Sequence, residues 1–140
     1  MVEPFVYRLR VRYAECDPQG VLFNAQYLAY IDHTVTELWR AAYGGYERML
    51  ERGFDIVVAE ARLRFLRSAR FDQEVDSEMH VTHLGTTSMR SHHRLIDPGD
   101  GAVLMEADMR HVWFDRQTGD KTPMPDWARA GLEAWYAPEP

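Results

Sequence analysis

The sequence predicts an α+β fold in which one long helix lies against an antiparallel sheet. Three observations carry that expectation. A segment alternating in hydropathy, Phe5 to Tyr13, precedes one of helical period, Tyr27 to Ala42. Beyond Gly53 the period falls to two and stays there for four segments, which short turns join. The expected order is β-α-β-β-β-β, a five-stranded sheet with a short C-terminal helix, in a single domain spanning 1–140.

In the first segment Phe5, Tyr7, Leu9, Val11 and Tyr13 share one face, with Arg8, Arg10 and Arg12 opposite. The helical segment sets Tyr27, Leu28, Ile31, Val35, Leu38, Trp39 and Ala42 at spacings of three and four, a broad apolar stripe. Gly44-Gly45 should end it, and Tyr46 to Arg52 should add one short turn. Ile56 to Leu66 groups Val57, Ala59, Ala61, Leu63 and Phe65 on one face, opposite Glu60, Arg62 and Arg64. Gln73 to Leu84 turns Val75, Met79 and Val81 inward, and Gly85-Thr86 reverses the chain. Thr87 to Ile96 is a more polar strand. Asp97-Pro98-Gly99-Asp100-Gly101 is a turn, and Ala102 to Phe114 is the last strand. Pro123 and Pro125 lead into a helix over Asp126 to Tyr136, with Asp126 as its N-cap. The tail Pro138-Glu139-Pro140 is expected to fray.

Composition narrows the function classes. An apolar fraction of 46% and four tryptophans predict a packed globule. A net charge of -6, with no basic tract, speaks against nucleic-acid binding. Cys16 is the single cysteine, so no internal disulfide can form and a reducing compartment fits. No signal peptide and no apolar run of membrane length is evident, so a cytoplasmic protein is expected. The histidines make no metal signature, because His92 and His93 fall on opposite faces of a strand.

The stretch between the first strand and the helix carries the chemistry. Asp17-Pro18-Gln19-Gly20 is turn chemistry. It holds a carboxylate just before a helix N-terminus, where unpaired N–H groups and the positive end of the dipole suit a developing oxyanion. An Asp in such a turn more often simply bonds its own backbone. The longer pattern, Asp17, Gly20, Asn24 and Tyr27 as Asp-x-x-Gly-x-x-x-Asn-x-x-Tyr followed by an amphipathic helix, resembles the 4-hydroxybenzoyl-CoA thioesterase family of the hotdog-fold superfamily. The resemblance runs from about Val6 to Pro125.

That resemblance implies a hotdog fold, with the sheet wrapped around one long central helix. It implies an acyl-CoA thioesterase that uses Asp17 as nucleophile or general base and the backbone N–H at or beside Asn24 as oxyanion donor. No metal and no cofactor are implied, coenzyme A being part of the substrate. A homodimer or dimer of dimers is implied too, with sheets joined edge to edge and the active site across the interface. Gly20, Phe23 and Tyr27 are candidates for the substrate pocket, and Leu22, Met79 and Met109 could also line an acyl slot. Arg67, Arg70, Ser88 and Arg90 are candidates for the phosphate groove, since cations suit phosphate oxygens. Asn24 could instead be a plain N-cap and Tyr27 a core tyrosine. Glu37 on the helix is a second candidate carboxylate, although a salt-bridge role fits it better. Two alternatives stand beside the acyl-CoA thioesterase: a thioesterase for acyl carrier protein and a non-catalytic acyl-CoA-binding module. A hydratase is disfavoured, because no Asp-x-x-x-x-His motif occurs.

Overall fold

The computed structural model describes residues 1–139; Pro140, in the tail expected to fray, lies outside them. Five strands, β1 (Phe5–Arg10), β2 (Phe54–Phe65), β3 (Glu74–Leu84), β4 (Ser88–Ile96) and β5 (Val103–Asp115), form one sheet. Their order is β1-β3-β4-β5-β2, antiparallel throughout. Helix α1 (Asn24–Tyr43) lies on its inner face, with α2 (Tyr46–Glu51) and α3 (Asp126–Leu132) beyond its C-terminal end. This is the α+β arrangement that the alternation and helical period predict, and the hotdog fold that the family resemblance implies.

The inner face takes what the period-two pattern offers. Val75, Met79 and Val81 from β3, Met89 and Leu95 from β4, and Met105, Ala107, Met109 and Trp113 from β5 are buried. They meet Tyr27, Tyr30, Ile31, Val35, Leu38 and Trp39 of α1. One polar tie crosses this core: Thr34 Oγ1 donates to the Tyr30 carbonyl or to Ser77 Oγ, 2.7 Å away on β3. The outer face is a ladder of ion pairs and hydrogen bonds. Arg8 meets Asp76 at 2.8 Å, Arg94 meets Glu78 at 3.3 Å, His92 meets Asp108 at 2.9 Å and Arg64 meets Glu106 at 2.7 Å.

Four local expectations need correction. β1 ends at Arg10, and Tyr13 sits in a 3-10 turn, 82% exposed, because the chain leaves the sheet there to reach α1. On β2 a bulge between Val58 and Glu60 flips the alternation. Ile56 and Val58 therefore share the inner face with Ala61, Leu63 and Phe65, and Val57 faces outward. Asp126 is the first residue of α3, with Pro125 at the cap position. Asn24 is likewise the first residue of α1, after Phe23. β2 is also a free sheet edge, which leaves Val58 48% and Phe65 52% exposed despite their inward direction.

Candidate active site

The crossing from β1 to α1 is a tight loop pinned at both ends. The Asp17 N–H donates to the Val21 carbonyl at 2.9 Å and the Gly20 N–H to the Asp17 carbonyl at 3.0 Å. Gly20 takes φ 76°, a conformation costly for side chains with a Cβ. The loop then leans on the segment between β2 and β3. The Leu22 N–H donates to the Ala69 carbonyl at 2.8 Å, and the Phe71 N–H to the Gly20 carbonyl at 3.0 Å. Tyr27, buried in the first turns of α1, accepts the Ala69 N–H on its hydroxyl at 3.1 Å. That bond fixes the helix start against the 66–70 segment rather than orienting Asp17.

Glu15 bolts the loop to the middle of α1. Its carboxylate accepts the Arg12 N–H at 2.9 Å, the Arg12 guanidinium at 3.1 Å and the Tyr30 hydroxyl at 2.7 Å. Its own carbonyl receives the Phe23 N–H at 2.9 Å. Burial pushes the Glu15 carboxyl up, but the Arg12 and Tyr30 hydrogen bonds outweigh it and hold the group below its ordinary range. Burial and the same carboxylate push the Tyr30 hydroxyl up. Sequence reasoning missed this pair. Arg12 is not a Ser or Thr, so the capping pattern gave no signal.

Asp17 is half-buried, and its Oδ1 accepts the Gln19 N–H at 2.8 Å, the Asx-turn expected of an Asp here. Oδ2 has no partner among the described residues. The side chain borders two clefts. One, of about 520 Å³, is walled by Tyr13, Cys16, Pro18, Gly20 and Phe71. The other, of about 340 Å³, brings Asp17 together with Asn24, Tyr27, Phe65 and Arg67. In the second cleft the carboxylate shares a wall with the start of α1. No side chain caps that start and no acidic residue occupies its first turn. The N–H groups of Asn24 and Ala25 have no acceptor among the described residues. A carboxylate with one oxygen unengaged and the uncapped first residue of α1 thus line one cleft.

Residues 11–132 match the thioesterase-like superfamily. The chain belongs to that superfamily. An acyl-CoA thioester hydrolase YbgC of Escherichia coli is 24% identical over 111 residues, covering 79% of this chain and 82% of that protein. An Aquifex aeolicus relative is 26% identical over 81 residues, 58% of this chain and 63% of that protein. Among solved structures, a 1,4-dihydroxy-2-naphthoyl-CoA thioesterase from Synechocystis superposes with a TM-score of 0.84 at 17% identity. That superposition covers 92% of this chain and 95% of the other. The Thermus thermophilus protein TT1821 gives 0.84 at 27% identity, over 93% and 98%. Membership assigns thioester hydrolysis as the class of reaction; the structural likenesses below 25% identity speak for the fold.

Within this thioesterase fold the other predicted residues scatter. Phe23 stands 51% exposed at the helix start. Arg67 lines the Asp17 cleft, with its guanidinium 3.2 Å from Asp100. Arg70 lies on the far side of the same segment, beside Asp72 and Asp97. Ser88 opens β4 next to Gly85, and Arg90 lies in an outer-face cleft with Arg62 and Arg110, so neither borders Asp17 within one chain. Glu37 is engaged by Arg40 at 3.1 Å and lies 3.9 Å from His33, along α1 from the cleft. The Cys16 thiol is pushed up by burial and by Asp17, the opposite of activation. Leu22 lines the Asp17 cleft, Met79 is core, and Met109 lines a separate cleft along α1.

Proposed function

We propose that the protein is an acyl-CoA thioesterase, releasing a carboxylic acid and free coenzyme A. The carrying observation is that Asp17, with one carboxylate oxygen unengaged, shares a cleft with the uncapped start of α1. The Asn24 N–H receives the thioester oxygen as it becomes negative. Asp17 attacks the carbonyl carbon, the C–S bond breaks to expel the coenzyme A thiolate, and water opens the resulting mixed anhydride to free the acid and Asp17. Alternatively, Asp17 deprotonates a water that attacks the carbonyl directly, with the same thiolate leaving. The thiolate is a good leaving group, so the absence of a paired general acid beside Asp17 is no obstacle. Arg67 and Arg70 are the cations nearest the cleft for the phosphates of coenzyme A. Ser88 and Arg90 serve the same ligand only from a second copy. Asp72 and Asp97 beside Arg67 and Arg70 leave no extended basic patch for an acidic carrier protein, whereas the phosphates of coenzyme A need only the two arginines.

The second copy belongs to the proposal. β2 is an open edge whose inward residues Val58 and Phe65 lie half outside the core, and pairing two such edges would cover them. The function is tested by measuring hydrolysis of aliphatic and aromatic acyl-CoA thioesters by the native protein and by Asp17→Asn. Undiminished turnover in the variant would remove Asp17 from the mechanism. Cys16→Ser controls for its thiol when coenzyme A release is read with a thiol reagent.

A further inference from the structure

Beside the Asp17 cleft runs a second one, of about 360 Å³, bounded by Ala25, Leu28, Ile31 and Val35 of α1, Val58 of β2, and Met109 and His111 of β5. Asn24 lines the first cleft and Ala25, the next residue of α1, lines the second, so both clefts draw on the first turn of that helix. From Ala25 to Val35 the helix advances about 15 Å at 1.5 Å per residue, well beyond the reach of a single benzoyl ring. His111 sits toward the far end. It pairs with Val58 across the sheet, and its ring is 6.4 Å from that of Trp39, further along α1 than Val35.

The cleft is mostly apolar; apart from Asp32 at its rim, His111 is the polar side chain in its wall. His111 is 3% exposed, and its Nδ1 is buried without a hydrogen-bond partner among the described residues. Nδ1 of His93 and Nε1 of Trp113 are buried without partners too, but neither residue lines this cleft, and Ser91 engages the other nitrogen of His93 at 2.8 Å. Burial holds His111 neutral, down to about 4. Its imidazole therefore offers one N–H donor and one acceptor, and no charge. A buried polar atom without a partner costs stability and calls for an explanation.

Resting on the acyl-CoA thioesterase reading, we propose that this cleft holds the acyl group and that His111 selects substrates with an uncharged hydrogen-bonding group, a hydroxyl or carbonyl, far from the thioester. The neutral ring can pair with such a group, and it gives no compensation to a carboxylate or ammonium end. His111 is then a specificity residue and takes no part in bond breaking at Asp17.

The test compares kcat/KM for ω-hydroxydecanoyl-CoA against decanoyl-CoA, in the native protein, His111→Phe and His111→Gln. The native protein should favour the hydroxylated thioester. In His111→Phe that preference should fall roughly tenfold, the size of one lost buried hydrogen bond, with decanoyl-CoA turned over as well or better. His111→Gln, which keeps a donor and an acceptor, should retain much of the preference. Imidazole nitrogen NMR of the native protein supplies a readout independent of folding in the variants. ω-Hydroxydecanoic acid should shift the His111 resonances more than decanoic acid does. Equal shifts, or an unchanged preference in His111→Phe, overturn the role of His111 alone. No turnover of any acyl-CoA by the native protein overturns the reading beneath it, and this one with it.

Discussion

At its C-terminal end α1 is closed. Gly44 takes the left-handed conformation at φ 84° and returns its N–H to the Arg40 carbonyl at 3.0 Å. Trp39 and Tyr43 stack at 5.6 Å, Trp113 and Trp127 pack edge-on around them, and the Tyr43 hydroxyl donates to the Ala128 carbonyl at 2.7 Å. At the other end of the same helix Phe23 holds the cap position without a side-chain cap, the Asn24 and Ala25 N–H groups have no acceptor among the described residues, and Asn24 lines the Asp17 cleft. Capping with Ser, Thr or Asp in place of Ala is worth about 1 kcal/mol. This sequence forgoes that stability at the start of α1, beside Asp17, and takes full closure at its C-terminal end. The surroundings of the open end are firm all the same: Glu15, Tyr30 and Tyr27 tie its flanking loops to the helix. Rigid walls around unsatisfied donors are what electrostatic stabilisation of an oxyanion requires.

The largest expected effect is at the open end. Asp17→Asn should lower kcat on the order of 10²- to 10⁴-fold, with thermal stability close to native because the amide oxygen can still accept the Gln19 N–H. Steady-state kinetics and a melting curve together check both halves of the statement. Trp113→Ala, at the closed end, should do the reverse. It empties a fully buried site and should cost about 3–5 kcal/mol of stability in urea unfolding. Turnover per folded molecule should stay near native. If Trp113→Ala abolished kcat in the folded fraction, the two ends would not be independent.

Asn24→Pro probes the open end with less disturbance. Asn24 is the first helical residue, a position where proline is well tolerated, and Phe23 before it already has φ -67° and ψ 142°, the extended region that precedes proline. The substitution deletes the backbone N–H. It should lower kcat on the order of 10²- to 10³-fold, while far-UV circular dichroism and the melting point stay near native. Asn24→Ala keeps the N–H and should retain most activity. Equal loss in both variants would assign the effect to the side chain instead.

Most of this contrast was legible in the sequence. Gly44-Gly45 marks the closed end, and Asp-Pro-Gln-Gly followed by helical period marks the open one. The inward positions of β3 and β5 follow from period two. The bulge at Val58 is different, because a bulge shifts register without any change in composition, and it reversed which valine of β2 faces the helix. Tyr27 was visible as a residue near the site, but its bond to the Ala69 N–H joins positions far apart in the chain, which spacing does not reveal. The Glu15–Tyr30 pair was hidden for the same reason. His93 and His111 fall at inward positions of their strands, so their burial could be read from alternation, but their missing partners could not.

Acid separates the two ends by pH. Burial lowers His93 to about 3 and His111 to about 4, both on the inner face of the sheet, whereas an unfolded His titrates near 6.5. Between 6.5 and those values the unfolded chain binds protons that the folded chain refuses. Stability is therefore full above about pH 6.5 and falls as pH drops, by at most about 1.4 kcal/mol per pH unit for each histidine. Glu15, at the open end, is also depressed, so its contribution is present above the ordinary carboxylate range and is lost only as pH falls through its lowered folded value. Unfolding measured from pH 7 to pH 5 should thus report the histidines and leave Glu15 silent. His111→Phe should flatten that slope by up to one proton, and Glu15→Gln should leave it unchanged. A slope in this range that survived His111→Phe intact would show that His111 is protonated without cost in the folded state, and that the inner face admits water to its ring.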